Sequence, residues 1–434
     1  MRSNLLRFCN IYLQDGPIRL LTGSLRKNRI AQTYIFAGAR SVGKMRLAKT
    51  FAAILQCLGP TISPDGEPGA CGKCLPCRRV LAGSHPDVTF IRPLGNEIRI
   101  EQVRQMRDQA MLHPYLGKWR IFILDPADRL NESSANSLLK ILEEAPDKVV
   151  FILIAEEIER ILPTIQSRSE MIRFNHPSHK AARDTIVQIS GLAPEVVARL
   201  YALTEGAFGA TLALSSLETP IGEYLPLGQA QVRFLEDIEK FSVHVQEKVN
   251  EAPSLEAALS VFESPEIALF LPLLESRKSF VRGLLMAESL PAAFPVMFTG
   301  AFQNAIQRSR KSLEKVIETV ISRQKSAYAS EIIKDIDWQF GLAVQMLFQA
   351  QIHGLLDCLR HWCEDLFHFG HTGDETWLLN LDRKEDIMTL SQARGIGFAE
   401  TEVQLLARIL ELQSRNVQPG LLLENVFSSI GGRN

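Results

Sequence analysis

Short apolar runs alternate with amphipathic segments over the first 175 residues of the chain. Four runs that are almost wholly apolar predict buried strands at Tyr34–Ala37, Val88–Arg92, Ile121–Leu124 and Val149–Ala155. Strands of this kind are typical of a parallel sheet that is covered on both faces. The segments between them, such as Arg46–Leu55, repeat apolar residues with a helical period. The pattern therefore predicts a doubly wound α/β domain with a central parallel sheet.

The hydrophobic pattern becomes helical after residue 175. Pro194 and Glu195 suit a first helical turn, and Gly206 and Gly209 suit the end of a small helical domain. Later segments are interrupted by prolines, at positions 253, 265, 272, 291 and 295, and remain helical between them. We predict three domains, which are an α/β domain at 1–175, a small helical domain at 176–222, and an all-helical domain at 223–434. The segment around 360–390 reads as an insertion in the last of these.

Composition adds few constraints to this picture. The chain has 434 residues, 46% hydrophobic and 22% charged, and a net charge of −1. These are the values of an ordinary globular protein, and the charge balance does not favour binding to nucleic acid outside a local patch. The most apolar stretch is short and contains Pro291 and Pro295, so no membrane span is expected. The N-terminus has no sustained apolar run, and we expect a cytoplasmic protein.

Residues 38–45, directly after the first predicted strand, fit a phosphate-binding loop at every position but the last. The pattern G-x-x-x-x-G-K-[ST] holds phosphates with backbone N–H groups, a lysine and a hydroxyl that binds Mg²⁺. Gly38, Gly43 and Lys44 are present, but Met45 stands in place of the hydroxyl. A thioether is a poor ligand for a hard cation. Nucleotide binding without Mg²⁺ stays open, because N–H groups at a helix start already attract anions.

A second deviation lies after the strand Ile121–Leu124. Asp125 comes at its carboxyl end, where P-loop ATPases place an acid that helps to hold the metal. Many of those enzymes have a glutamate next, which orients the attacking water, whereas this chain has Pro126. With Met45 and Pro126 together, we expect this chain to hydrolyse ATP poorly or not at all.

Four cysteines crowd into one turn-rich segment. Cys57, Cys71, Cys74 and Cys77 are separated by 13, 2 and 2 residues. In a reducing compartment, four such thiols suit a structural Zn²⁺ site with tetrahedral geometry. Reduced structural cysteines and an iron–sulfur cluster are the alternatives, although the run lacks the Cys-Pro of the ferredoxin pattern.

Several blocks together resemble the bacterial clamp-loader ATPase family of the DNA polymerase III holoenzyme, which has an AAA+ fold. The most specific block is Ser134-Ala-Asn-Ser-Leu-Leu-Lys-Ile-Leu-Glu-Glu-Ala-Pro146, and Ser167-Arg168-Ser169 resembles the Ser-Arg-Cys block that ends the first domain. The cysteine segment, over residues 57–80, is similar to the zinc module of that family. The resemblance is dense over residues 30–175 and thin beyond.

The resemblance implies how such a chain works. Family members form a ring through a helical collar, and the expected partners are other clamp-loader subunits (gamma/tau and delta), the sliding clamp and primed DNA. A member that lacks its own hydroxyl and glutamate but keeps Arg168 is expected to supply that arginine in trans to a neighbouring ATPase. The resemblance thus implies a non-catalytic subunit with structural Zn²⁺ and doubtful ATP or ADP binding. The alternatives are an active ATPase with an unusual water network, an ATPase-like scaffold outside replication, and an Arg168 that only pairs within its own subunit.

Two clusters lie outside these motifs. A basic cluster is interleaved with Glu314 and Glu318 at helical spacing, which favours a solvated ion-paired face over contact with DNA; it consists of Arg308, Arg310, Lys311 and Lys315. Histidines and cysteines near residue 360 have no standard metal spacing, so we read them as ordinary core and surface residues.

Overall fold

The computed structural model describes residues 6–8, 11–39, 41–62, 68–93, 97–144, 146–216, 223–262, 264–287, 290–394 and 419–431. These residues form two compact units, which divide between Pro177 and Ser178. The predicted linker at 219–222 lies outside the described residues. The finer division of the second unit at residue 222 stays a prediction.

The first unit is built on a parallel sheet. Its strands in chain order are β1 (Leu6–Arg7), β2 (Thr33–Ala37), β3 (Thr61–Ile62), β4 (Pro68–Ala70), β5 (Val88–Ile91), β6 (Arg120–Leu124), β7 (Val149–Ala155) and β8 (Glu170–Arg173). Five of these form the main sheet in the order β5-β6-β7-β2-β8, with every pair parallel. The four strands predicted from apolar runs are confirmed. The edge strand β8 was missed because only Ile172 in it is buried.

Helices cover both faces of this sheet, as parallel strands require. They are α1 (Asp15–Arg26), α2 (Lys44–Gln56), α3 (Leu75–Leu81), α4 (Ile100–Ala110), α5 (Glu132–Glu144) and α6 (Pro163–Gln166). Tyr34 and Phe36 point into one apolar cluster with Phe51 of α2, whereas Ile35 points into a second cluster with Leu138 of α5. The doubly wound α/β fold is therefore confirmed.

A buried carboxylate fixes the segment between α4 and β6. Asp87 is fully buried, and its two oxygens accept hydrogen bonds from the backbone N–H groups of Tyr115, Leu116 and Gly117 at 2.6, 2.7 and 2.8 Å. Arg120 donates to the same carboxylate at 3.2 Å. Tyr115 is nevertheless 79% exposed, and Leu116 is also exposed. The segment thus presents apolar side chains to solvent on a rigid support.

The second unit is all-helical over its described residues. Its helices are α7 (His179–Ser190), α8 (Pro194–Leu203), α9 (Phe208–Leu214), α10 (Leu227–Glu251), α11 (Leu255–Val261), α12 (Pro265–Ala268), α13 (Leu271–Met286), α14 (Phe294–Gln324), α15 (Ser330–Thr372), α16 (Lys384–Arg394) and α17 (Pro419–Gly431). Pro265, Pro272 and Pro295 lie in first helical turns, where a missing N–H costs nothing. Stacked rings of Phe280 and Phe298 lie at the centre of the core.

Residues 374–386 tie several helices of this unit together. Arg282 on α13 donates two hydrogen bonds to Asp386 at 2.6 and 2.9 Å. The Tyr224 hydroxyl donates to Asp382, and Arg183 on α7 donates to the carbonyl of Leu378. The segment that sequence could not interpret therefore links helices near the start of the unit to helices in its core.

Two of the four basic residues in the α14 cluster form ion pairs. Arg308 pairs with Glu239 and Arg310 pairs with Glu314, each at 2.7 Å. This supports the ion-paired surface over a DNA contact.

No single helix in the described ranges has the length and apolar composition needed to cross a membrane. Two bent helix pairs meet that test only when their members are combined, at His179–Ser190 with Pro194–Leu203 and at Leu255–Ala268 with Leu271–Met286.

The Asp87 carboxylate yields a stability prediction. Asp87→Asn should lower the free energy of unfolding by about 3 kcal/mol, because the buried Arg120 loses its charged partner. Burial raises the pKa of Asp87, but the three N–H groups and Arg120 outweigh it and hold the pKa below its usual value. The stabilisation is therefore present above the unfolded pKa of about 3.9 and is lost as the pH falls through the folded pKa.

Urea unfolding of the whole chain between pH 3 and 7 measures this effect. Asp108→Asn, which removes an exposed partner of Arg107, is the matched control and should change stability by less than about 0.5 kcal/mol. An Asp87→Asn variant as stable as that control at pH 7 would contradict the prediction.

Candidate functional site

The phosphate loop has the backbone shape that its glycines predict. Gly38 has a φ of +153°, and an added Cβ would lie 2.9 Å from the Cβ of Phe174. Gly43 has a φ of +99° and forms the N-cap of α2, so the helix starts directly at the loop. Only glycine fits these two positions without strain. At these two glycines the loop therefore has conformations that suit an anion site at a helix N-terminus, while Arg40 lies outside the described residues.

Lys44 is turned back onto its own loop. Its side chain is only 5% exposed. Its ammonium donates to the carbonyls of Gly38 and Ala39 at 2.5 and 2.6 Å. A phosphate would have to draw the ammonium out of these two hydrogen bonds.

In the structure, as in the sequence, the positions that would hold Mg²⁺ and the attacking water lack some of the side chains they need. Met45 packs against the apolar cluster under the sheet, which is a favourable place for a thioether. Asp125 follows β6 at the same edge of the sheet, and burial raises the pKa of its carboxyl, although the charges of Arg92 and Lys44 oppose this. Pro126, which is joined to Asp125 by a cis peptide bond, offers neither acid nor base.

Further carboxylates lie near this edge. Glu156, directly after β7, and Asp128 each raise the pKa of Asp125 through their negative charge. Asp128 is 9% exposed and accepts a hydrogen bond from the N–H of Glu157 at 3.2 Å. Extra negative charge without a metal disfavours a polyphosphate at this site.

Arg168 lies at the amino ends of the sheet strands, whereas the phosphate loop lies at their carboxyl ends. It comes just before β8, a four-residue strand that spans roughly 13 Å. Phe174, at the far end of β8, is the residue that contacts Gly38. Because β8 runs parallel to β2, Arg168 lies at the end of this strand pair opposite to the loop that carries Lys44.

The guanidinium of Arg168 is held on the surface by two acceptors. Its Nη2 forms an ion pair with Glu143 Oε1 at 2.7 Å, and its Nη1 donates to the carbonyl of Thr164 at 3.2 Å. Both charged side chains are about half exposed, at 44% and 52%. The intrasubunit pair considered from the sequence therefore exists in the single chain, and it leaves the guanidinium accessible.

The four predicted cysteine ligands come together. The sulfur atoms of Cys57, Cys71, Cys74 and Cys77 all lie within 4.8 Å of one another. A tetrahedral zinc with Zn–S bonds of about 2.3 Å needs sulfurs roughly 3.8 Å apart, so small side-chain shifts would close the site. They form the only such His, Cys, Asp or Glu group found among the described residues.

Backbone groups prepare these sulfurs for a cation. The N–H groups of Cys71 and Cys74 donate to the sulfurs of Cys57 and Cys71, each at 3.3 Å. Hydrogen bonds from the N–H groups of Cys74 and Lys73 lower the pKa of Cys71 to about 6. Burial raises the pKa of Cys57 and Cys77. One thiolate is thus available at neutral pH, and the two buried thiols release protons when a metal binds.

Sequence reasoning missed the acidic partners in both regions. Glu156 follows a strand end, as Asp125 does, and that position was a usable signal. Glu143 is far from Arg168 along the chain, and no sequence signal paired the two. Glu143, at the end of α5, meets Arg168, just before β8, only because the fold places both at the same end of the sheet.

The strand order of the parallel sheet and the glycine loop before α2 define the first unit as a P-loop α/β domain of the AAA+ type. A family model described as DNA polymerase III, delta subunit, matches residues 13–178. Over those residues the chain is similar to the DNA polymerase III clamp-loader family.

The curated relatives include both kinds of clamp-loader subunit. DNA polymerase III subunit delta' of Bacillus subtilis is 31% identical over 41% of this chain and 52% of its own length. The delta' subunit of Pseudomonas aeruginosa is 34% identical over 41% of this chain and 53% of its own length. Subunit tau/gamma of Haemophilus influenzae is 32% identical over 37% of this chain and 22% of its own length.

This chain matches about half the length of the delta' relatives and less of the tau/gamma relative. Among solved structures, a gamma subunit-related protein of Thermotoga maritima covers 95% of this chain and is itself covered to 99%, with 16% identity. Its TM-score is 0.43. The first unit is thus similar to clamp-loader subunits of both kinds, delta' and gamma/tau.

The cysteine geometry predicts one zinc per chain. Cys71→Ser should abolish stoichiometric zinc, because three remaining ligands no longer close a tetrahedral site. Binding free energy in small zinc modules is about 10 kcal/mol. In this larger domain we expect loss of metal to loosen residues 57–80 while the main sheet stays folded. Elemental analysis and hydrogen exchange on purified protein measure both effects.

Cys358→Ala is the control, since Cys358 lies in the helical core of the second unit, and zinc content should not change. Wild-type protein without zinc, or Cys71→Ser with undiminished zinc, would refute the assignment.

Proposed function

We propose that this chain is an ATPase-defective delta-prime subunit of a DNA polymerase III clamp loader. In this role it binds a structural zinc and supplies Arg168 in trans to a neighbouring ATPase subunit during loading of the sliding clamp onto primed DNA. The observation that carries the proposal is the contrast between the two edges of the sheet. The end of the sheet with the phosphate loop lacks the hydroxyl and the glutamate of an active ATPase, whereas the opposite end presents an accessible arginine.

The first edge supports a non-catalytic subunit. Met45 contacts the apolar core where Mg²⁺ needs an oxygen ligand, and Pro126 replaces the acid that would orient water. Lys44 already has two carbonyl partners. ATP or ADP is therefore not needed for the proposed role.

The second edge supports action on a neighbour. Arg168 is separated from its own loop by β8 and is half exposed. An arginine supplied in trans stabilises the charge that develops on a transferred phosphoryl group, and in other NTPases it is worth about 10³–10⁵ in rate. We propose that gamma/tau supplies the active site that receives it.

Partner surfaces for the rest of the assembly fit this proposal. The exposed side chains of Tyr115 and Leu116, fixed by Asp87, suit a contact with a protein partner such as the sliding clamp. The helical unit suits the collar through which subunits of the family, including delta, form a ring. We further propose domains at 1–175, 176–222 and 223–434, and a cytoplasmic location.

The second candidate is a gamma/tau-like ATPase. Relatives with that name match a similar share of this chain, 37% and 42%, at similar identity. It would have to position Mg²⁺ and the attacking water without the hydroxyl and the glutamate, which the geometry at Met45 and Pro126 disfavours.

ATP turnover by the purified chain tests the first part of the proposal. We expect no turnover above that of Lys44→Ala, which serves as the control for contaminating ATPases. The double variant Met45→Thr with Pro126→Glu restores both missing groups and should raise turnover above this background. Robust wild-type turnover that Lys44→Ala abolishes would favour the gamma/tau candidate.

Arg168→Ala tests the second part. In a loader reconstituted with the partner subunits, it should reduce DNA- and clamp-stimulated ATP hydrolysis about tenfold or more, while ring assembly is unchanged. Arg168→Lys should restore little, because an ammonium lacks the planar fork of donors. Size-exclusion chromatography and steady-state ATPase assays measure the two properties. A normal rate with Arg168→Ala would mean that this arginine is structural.

A further inference from the structure

We propose that Glu143 is a positioning residue for Arg168. Its carboxylate holds the guanidinium in the orientation in which a neighbouring nucleotide receives it. This inference rests on the proposed trans role of Arg168, and it assigns a role to a residue that no sequence pattern had connected with that role.

The backbone at Arg168 is already fixed without Glu143. Ile165 is fully buried, and the Gln166 side chain donates to the carbonyls of Ile158 and Ile161 at 3.0 and 2.8 Å. The N–H of Arg168 donates to the carbonyl of Ile165 at 3.2 Å. The short helix α6 therefore places the Cα of Arg168 accurately, and only the long side chain remains to be ordered.

Two acceptors order that side chain. The Thr164 carbonyl accepts a hydrogen bond from Nη1, and the Glu143 carboxylate forms an ion pair with Nη2 at 2.7 Å. An arginine has several rotatable bonds, and an unrestrained guanidinium samples many positions. Contacts to two different nitrogens favour one of these guanidinium positions before a neighbouring subunit binds. Reactions that depend on geometry are faster when this ordering is present in advance.

The location of Glu143 gives a second, independent reason for the pair. Glu143 and Glu144 are the last two residues of α5, and the last turn contains no basic residue. A helix C-terminus carries partial negative charge, so carboxylates there are unfavourable unless a cation compensates them. Arg168 is the cation that the fold brings to Glu143. The pair therefore satisfies both partners, although it lies too near solvent to decide the stability of the fold.

Partial exposure also allows the arginine to act. A buried pair would resist any new partner, whereas this one is open to solvent on both side chains. Arg168 has further N–H groups beyond those directed to Glu143 and Thr164, so it can donate to a phosphate while its orientation is maintained.

The test measures ATP hydrolysis by the reconstituted loader with variants of the full chain. Glu143→Ala should lower kcat about three- to tenfold, because the guanidinium is less often in position. The KM for ATP should stay within about twofold, since the nucleotide is bound by the neighbour. Glu143→Gln keeps an acceptor oxygen and should lose less. Glu157→Gln removes a similarly exposed partner, from Arg160 at 2.7 Å, and should leave both parameters unchanged.

A spectroscopic measurement on the isolated chain checks the ordering itself. The side-chain N–H signal of Arg168, assigned by its absence in Arg168→Lys, should be sharper in wild-type protein than in Glu143→Ala. Unfolding midpoints of the two proteins should agree, which would exclude a general loss of structure.

The outcomes separate this inference from the proposed function. A rate lowered by Arg168→Ala but unaffected by Glu143→Ala would overturn the positioning role and leave the trans role intact. A rate raised by Glu143→Ala would show that the pair restrains the arginine, which also overturns positioning. If Arg168→Ala has no effect, the proposed function fails first and this inference falls with it.

Discussion

The parallel pairing of β2 with both β7 and β8 is the constraint on which the site depends. Because parallel strands run in the same direction, the residues directly after β2 lie at the carboxyl ends of the strands. The residues directly before β8 lie at the amino ends. The phosphate loop follows β2, and Arg168 precedes β8. One sheet therefore separates a nucleotide-type site from an arginine that cannot reach it. This geometry supports the proposal that Arg168 acts at a site outside its own chain.

The two edges differ in how their charges are arranged. At the end of the sheet with the phosphate loop, Lys44 is buried and donates hydrogen bonds to carbonyls. The pKa of Asp125 is raised there, and other carboxylates lie near it. At the other edge, Arg168 has one carboxylate partner and remains open to solvent. Buried and self-satisfied charges are slow to take new partners, whereas an exposed pair exchanges at little cost. This difference supports a chain that has lost its own chemistry and kept a group for a neighbour.

Structural support in both units comes from buried or half-buried carboxylates that accept several hydrogen bonds. Asp87 fixes the segment that carries Tyr115, and fully buried Asp365 accepts from the N–H groups of Leu379 and Asn380. Each carboxylate satisfies backbone groups that would otherwise be costly in an irregular segment. Such anchors let loops stay rigid without belonging to a helix or strand, and in the first unit they leave apolar side chains available for partners.

The sequence by itself determined the α/β sheet, the phosphate loop with its two lost groups, and the cysteine cluster. Those features are local, because apolar runs, glycines and closely spaced cysteines carry their meaning over a few residues. Only the tertiary structure decided that β8 pairs beside β2, that Glu143 meets Arg168, and that residues 374–386 bind to distant helices. Partners far apart in the chain leave no periodicity to detect, and a mostly exposed edge strand such as β8 lacks the apolar run that marks a central one. The sequence therefore showed which two positions of the ATPase motifs are replaced, and the fold decided at which end of the sheet Arg168 lies.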